Sequence, residues 1–413
     1  MNDTGIRTLR VLFVSSEYPP ETGFGGIGTY TRNAAEGLAA RGHEVHVVCR
    51  AANNSARDET VNGVSIHRIS GGEYPLPQGR AWYPLRTICY RLIPQSLVKA
   101  AWSREVGRKY NELAYAGTSF DIVEYPECGG EGFYLSRTIG YTAVARLHTP
   151  WELIRRFDRI QEPALDRFLL SYMESSSCRA AAMVSSPSQA LGILMKRMWR
   201  LRAVLVCPNF LPVAEYPQTG GGDWIYVGRI ERVKGTHLLI EAYGRLCETR
   251  QPPPLLLLGH AYGRLPDGKP YGEMIREHIV RKKLDNKVTW IEGVSHDTVI
   301  GHMSRSSAII VPSLWENGPF AVLEAMSCGL AVVAARAGGL PEMIKDGENG
   351  ILFQSGSAEA LQAALATLLD NPGLAGRLGS AARDSAMRGY DAGRCLPALE
   401  KLYLKVLEKK THG

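Results

Sequence analysis

No two aspartates stand two residues apart anywhere in this chain of 413 residues. The Asp-x-Asp clasp for a divalent cation is therefore missing, and no metal is expected. The eight cysteines are scattered and form no Cys-x-x-Cys pair. That excludes a zinc ribbon or a disulfide framework and points to reduced thiols in the cytoplasm. No stretch approaches the roughly 18 apolar residues of a membrane span. The polar start, Met1 to Arg10, is followed by the short apolar run Val11 to Val14, so no signal peptide is expected. The histidines have no spacing that suggests metal ligation, and no nucleic-acid motif accompanies the positive charge.

What is present describes an α/β protein. Hydrophobic content of 45% with 22% charge is ordinary for a globular chain, and the length favours two domains. Short β-rich runs (Arg10–Ser16, Glu44–Cys49, Ser65–Ile69, Asp121–Tyr125, Thr142–His148, Ala182–Ser185 and Val204–Cys207) alternate with helical patterns. The alternation resumes with Trp224–Val227, Pro254–Leu258, Lys287–Glu292, Ala308–Val311, Ala331–Ala335 and Ile351–Phe353. Alternation of this kind implies parallel sheets covered on both faces. Pro208 to Gly222 lacks periodicity and holds three prolines and the run Gly220-Gly221-Gly222, so it reads as a linker. Two doubly wound, Rossmann-like domains are expected, residues 1–207 and 223–390, with ligands in the cleft at the carboxyl ends of their strands.

The net charge of +7 is uneven: residues 1–206 carry 25 Lys+Arg against 19 Asp+Glu. Seven cations and one acid, Glu105, lie between Arg80 and Lys109, interleaved with Trp82, Tyr83, Tyr90 and Trp102. A second cluster runs from Lys196 to Arg202. Both read either as solvated helix faces or as a basic, aromatic surface for anionic lipid headgroups, the inner face of a membrane, or an acidic acceptor.

Several constellations carry chemistry. Glu316 and Glu324 bracket Asn317-Gly318-Pro319-Phe320-Ala321-Val322-Leu323. The helix Phe320 to Cys328 is apolar except at Glu324, and a carboxylate there is costly unless it is paired. No cation lies within a helical turn, so the partner must come from elsewhere. Glu316 precedes the helix, where free N–H groups favour a polar or anionic ligand. Both acids are expected to accept hydrogen bonds from sugar hydroxyls. Gly228-Arg229 and Lys234-Gly235 follow a strand and precede a helix, a natural seat for a diphosphate held by a bidentate Arg and a point-charge Lys. Gly338-Gly339-Leu340-Pro341-Glu342 lets backbone approach a ligand. Gly23-Phe24-Gly25-Gly26-Ile27-Gly28 matches Gly-x-Gly-x-x-Gly but lies too far from its strand for a dinucleotide fingerprint. It can still reach toward phosphate. His148 ends a strand and so points toward the cleft.

In order and spacing, these residues resemble the retaining glycosyltransferases of family four, which have the GT-B fold. The resemblance rests on Gly25-Gly26-Ile27-Gly28, His148, Gly228-Arg229 with Lys234-Gly235, Glu316 and Glu324, and Gly338-Gly339 with Glu342. It implies metal-independent transfer of a hexose-type sugar from a nucleoside-diphosphate donor, UDP or GDP, to a hydroxyl, with no cofactor. It assigns the sugar to Glu316, Gly318, Pro319 and Phe320, the ribose to Glu324, and the diphosphate to Arg229 and Lys234. It further implies closure by Gly26 of the glycine loop, His148 beside the reacting carbon, and the base near Gly259 and Val294. A final helix, residues 391–413, would cross back to the first domain. The acceptor is expected to be a lipid-linked or cell-envelope glycan, with small molecules left open. Pro208-Asn209-Phe210 departs from the family, which commonly has glycine after the asparagine. A sugar-nucleotide epimerase of similar architecture and an NADP-dependent oxidoreductase using the glycine loop and Arg50 are the alternatives.

Overall fold

A computed structural model describes residues 7–23, 25–72, 79–158, 160–217 and 222–411. Phe24 of the glycine run and residues 218–221 of the expected linker lie outside them, as do residues 73–78. The chain forms two compact units. The first comprises Met1–Leu153, Gln161–Cys207 and Leu396–Gly413; the second comprises Ile154–Ile160 and Pro208–Cys395.

The first unit is built on eight strands: β1 (Arg10–Val14), β2 (Glu44–Arg50), β3 (Arg57–Val61), β4 (Val64–Ile69), β5 (Ile122–Pro126), β6 (Ala143–Arg146), β7 (Met183–Ser186) and β8 (Leu205–Val206). Their order in the sheet is β3-β4-β2-β1-β5-β6-β7-β8. All pairings are parallel except β3 with β4. The β1, β2 and β5 runs are apolar because helices cover both faces, so Val11, Leu12, Val47 and Ile122 are fully buried. The β3 strand, Arg-Asp-Glu-Thr-Val, is almost wholly exposed. Its polarity conceals it in the sequence. It forms a charged edge held by ion pairs across the ladder, Arg68 Nε to Glu59 Oε1 at 2.6 Å and His67 Nδ1 to Asp58 Oδ1 at 2.8 Å, and such an edge discourages pairing with another chain.

The last helix, Ala392–Thr411, joins the first unit from Leu396 onward. Its buried Glu400 accepts from Arg41 Nε (2.6 Å) and Nη2 (2.9 Å) and pairs with His43 Nε2 (2.9 Å). Tyr403 donates its hydroxyl to Glu124 Oε2 at 2.9 Å.

Six parallel strands make the second unit: β9 (Asp223–Val227), β10 (Leu255–Leu258), β11 (Val288–Ile291), β12 (Ser306–Val311), β13 (Ala331–Ala335) and β14 (Ile351–Phe353). The order is β11-β10-β9-β12-β13-β14. This is the doubly wound 3-2-1-4-5-6 arrangement, with the order reversing between β9 and β12. Ile154–Ile160 belongs here because Asp158 Oδ1 accepts the Val233 N–H at 2.8 Å and Phe157 stacks on Trp315 at 5.9 Å.

Two aromatics that lie within the basic stretches, Trp102 and Trp199, are core residues and not part of a surface. Trp102 is 1% exposed and Trp199 3%. Trp102 turns inward to donate its indole N–H to Glu131. The 196–202 stretch is therefore basic without exposed aromatics. Among the described residues no helix is long and apolar enough to cross a membrane.

Candidate active site

In a doubly wound sheet the crevice for ligands opens where the strand order reverses. In the second unit that point lies at the carboxyl ends of β9 and β12. Gly228 ends β9 and Gly259 ends β10, both with φ near +149°. A Cβ on Gly259 would stand 2.0 Å from the Gly228 carbonyl oxygen, so the two turns approach this closely only with glycine at 259. Tyr226 donates its hydroxyl to the Arg229 carbonyl at 2.6 Å, bracing the turn. Arg229, 55% exposed, lies with Nη2 2.9 Å from Glu231 Oε1. Burial pushes the Glu231 carboxyl up, against the pull of Arg229. A single 3-10 turn, Arg232–Lys234, then leads through Gly235 into the helix Thr236–Thr249.

The loop after β12 meets this turn. Leu314 N–H donates to the Val233 carbonyl at 2.7 Å. Lys234 Nζ stands 2.7 Å from Glu316 Oε1, and the Ser313 hydroxyl donates to the same oxygen at 2.8 Å. The Glu316 carbonyl accepts the Gly339 N–H at 2.7 Å, which ties the Gly338-Gly339 turn to the same point. The helix Phe320–Cys328 follows, and its N-cap, Pro319, supplies no side-chain bond to the first turn. Trp315 donates its indole N–H to Asn317 Oδ1 at 2.6 Å. Asn209 Nδ2 donates to the Gly318 carbonyl at 2.7 Å. Asn209 drew notice in the sequence only for the residue after it, and its tie to the acidic loop has no local signal.

Glu324 finds its partner in His296, whose Nε2 lies 2.7 Å from Glu324 Oε1. His296 opens a helix just beyond Val294. Sequence reading did not single it out, although a buried acid without a local cation required such a group. Gly259 and the half-buried Val294 follow the adjacent strands β10 and β11, and the Gly259 carbonyl accepts the Trp290 indole N–H at 2.9 Å.

In the first unit the order reverses between β1 and β5. Ser16, after β1, donates its N–H and hydroxyl to Glu131 at 2.9 and 2.7 Å. The glycine loop wraps an acid. A Cβ on Gly25 would stand 2.7 Å from Glu17 Oε2, and the Gly28 N–H points at that oxygen from 3.4 Å. Gly25 caps the helix Gly26–Ala40, so a carboxylate occupies the anion-favouring helix start.

His148 lies two residues past the end of β6 and is 9% exposed. Its ring meets Tyr30 edge-on at 5.6 Å, and its backbone N–H donates to Glu127 Oε2 at 2.7 Å. Burial, and next the charge of Arg146, hold its imidazole well below the usual range, so it is neutral at pH 7. Two further acids stand behind it. Glu174 Oε1 accepts the Gly129 and Trp151 N–H groups at 2.8 and 3.0 Å. Burial raises the Glu174 carboxyl to about 7, and burial with the charge of Glu174 raises Glu127. Among the described residues no three His, Cys, Asp or Glu side chains gather as metal ligands would.

Two family models match in succession, Glycosyltransferase Family 4 over residues 24–215 and Glycosyl transferases group 1 over residues 217–385. Glycogen synthase of Mycobacterium tuberculosis is 26% identical over 414 residues, covering 96% of this chain and 94% of the relative. Sucrose-phosphate synthase of Thermosynechococcus elongatus superposes with a TM-score of 0.73 at 21% identity, over 98% of this chain and all of that one. HepE of Anabaena, solved with UDP and glucose, gives 0.69 at 18% identity, over 96% of this chain and all of that one. Both models describe glycosyltransferases, which sets aside the epimerase and oxidoreductase readings. With its two parallel-sheet units and these matches, the chain belongs to the nucleotide-sugar-dependent glycosyltransferases of family 4, group 1, and has their GT-B fold.

Proposed function

We propose that this enzyme moves a hexose-type sugar from a UDP or GDP donor to a hydroxyl acceptor, with retention of anomeric configuration and without a metal ion. The observation that carries the reading is the meeting of Lys234 with Glu316 at the reversal of the second sheet, with Arg229 on the same loop. A donor needs cations for its diphosphate and acceptors for its sugar hydroxyls side by side, and this loop pair supplies both. Arg229 and Lys234 take the diphosphate. Glu316, with the backbone of Gly318, Pro319 and Phe320, takes the sugar. Glu324, oriented by His296, takes the ribose, and Gly259 with Val294 flanks the base. Gly25, Gly26 and His148 of the first unit keep the roles that the family resemblance gives them. HepE, solved with UDP and glucose, makes UDP-glucose the first donor to test. The acceptor is a lipid-linked or cell-envelope glycan, reached by peripheral contact with a membrane.

In the reaction the bond from the anomeric carbon to the phosphate oxygen breaks. The acceptor oxygen bonds to that carbon from the same face, and the acceptor proton passes to the departing phosphate. Arg229 and Lys234 stabilise the charge that builds on the leaving group. A neutral His148 adds no positive charge to oppose the one developing on the sugar ring.

The test is a panel of nucleotide sugars assayed for slow hydrolysis and for transfer to prenyl-linked glycans. The anomer first formed is read by proton NMR. Slow release of UDP or GDP from one donor and a product of unchanged configuration are expected. An inverted product, or no turnover of any UDP- or GDP-sugar, overturns the reading.

A further inference from the structure

We propose that the helices Tyr83–Leu92 and Ala164–Ala180 of the first unit form a docking face for an anionic lipid bilayer. The helix Tyr83–Leu92 buries none of its side chains. Ten residues with no buried face make a marginal helix in water. Leu85, Ile88 and Leu92 recur at helical spacing on one side and are 42%, 53% and 45% exposed. Trp82 and Tyr83 stand exposed at its start, where aromatic rings suit the headgroup level of a membrane. The second helix adds Phe168, 65% exposed.

The face is held in place. Asp166 is fully buried at the start of the second helix. Its carboxylate accepts the Gln95 and Ser96 N–H groups at 3.0 and 2.7 Å and the Ser96 hydroxyl at 2.5 Å. These residues open the helix Pro94–Tyr115, directly after the exposed one, so the junction of the two is pinned to the second helix.

Charge selects the occupant. From residue 79 to residue 104 the sequence contains no Asp or Glu but holds Arg80, Arg86, Arg91, Lys99 and Arg104. A second copy of the chain would bring like charge against like. A bilayer with anionic headgroups accepts both the apolar side chains and the cations. The inference deepens the lipid-borne acceptor reading of the proposed function. Its test uses neither donor nor acceptor, so the two can fail separately.

The full-length chain is sedimented with large vesicles of phosphatidylcholine, with and without 30% phosphatidylglycerol, at low and high salt. Binding at least tenfold stronger to the anionic vesicles, and weakened by salt, is expected. The double variant L85E/I88E should lose that preference by tenfold or more, F168S should weaken it, and R86Q/R91Q should flatten the salt dependence. The substituted side chains are exposed or half-buried, and circular dichroism checks that each variant is folded. Absence of binding to anionic vesicles at low salt, or binding of L85E/I88E equal to that of the parent, overturns the proposal. So does a dimer in sedimentation velocity that I88E dissociates.

Discussion

Lys234 and Glu316, 82 residues apart in the chain, meet with Nζ 2.7 Å from Oε1. Their side chains are 21% and 9% exposed, so the pair sits where water screens it poorly. Each residue follows one of the two strands that flank the reversal of sheet order, β9 and β12. The topology of a doubly wound sheet thus brings a cation and an acid to one point without any local sequence relation between them. A diphosphate arriving at Lys234 would take over the ammonium and release the Glu316 carboxylate toward sugar hydroxyls.

Glu316→Ala should lower turnover by roughly 10²–10³-fold, as expected for a contact that supports the reacting sugar. The fold should survive, because the bond to Gly339 uses the Glu316 backbone carbonyl rather than its side chain. Turnover close to the parent's, alongside an unchanged melting curve, removes the proposed sugar contact.

Arg229→Ala should weaken UDP or GDP binding by roughly 10–100-fold, from a charge-assisted bond of about 1.5–3 kcal/mol. Its guanidinium is more than half exposed, so little change in stability accompanies the loss. Titration calorimetry reads the binding, and an unchanged Kd shows that the diphosphate lies elsewhere.

Gly338→Ala tests the scaffold. Gly338 has φ +53°, and a Cβ there would stand 1.9 Å from the Glu316 carbonyl oxygen. The substitution should cost roughly 2–4 kcal/mol in urea unfolding, from backbone strain and a forced shift of the acidic loop. Activity should fall further than stability accounts for at assay temperature. A fully active G338A variant means that the position of Glu316 is not critical.

Buried Glu174 gives a pH signature. Its folded value of about 7 lies above its ordinary 4.5, so the folded state holds the proton more tightly than the unfolded one. The stability it contributes is full below pH 4.5 and is lost as pH rises through 7. The total is about 3 kcal/mol at most. Depressed His148 works in the opposite sense, losing stability as pH falls below 6.5, so a comparison of variants is cleaner than the parent's profile. Glu174→Gln keeps an oxygen for the Gly129 and Trp151 N–H groups. Its melting temperature relative to the parent should climb between pH 4.5 and 7 and then level off; a flat difference refutes the raised value.

Activity should persist in excess EDTA, because the charge of the leaving diphosphate is assigned to Arg229 and Lys234. Loss in chelator with restoration by magnesium or manganese would refute metal independence.

Several features were open to local reading. The helix Phe320–Cys328 and the strands Ala331–Ala335 and Ile351–Phe353 keep the limits that apolar pattern suggests. They are short, nearly continuous apolar runs, and Pro319, Gly329 and Gly350 mark three of the ends. Glu324 announced itself as an acid on an apolar helix. β3 was hidden because a charged edge strand has no apolar period to betray it.

By itself the sequence determined the alternation of strands and helices and named the cations and acids with chemistry to perform, because periodicity and charge are properties of neighbouring residues. Only the tertiary structure decided that His296 answers Glu324, that Asn209 holds Gly318, that Glu17 fills the glycine loop, and that Trp102 and Trp199 turn inward. The His296, Asn209 and Trp102 contacts join groups 28, 109 and 29 residues apart, brought together by strand order and by a buried polar group's need of a partner.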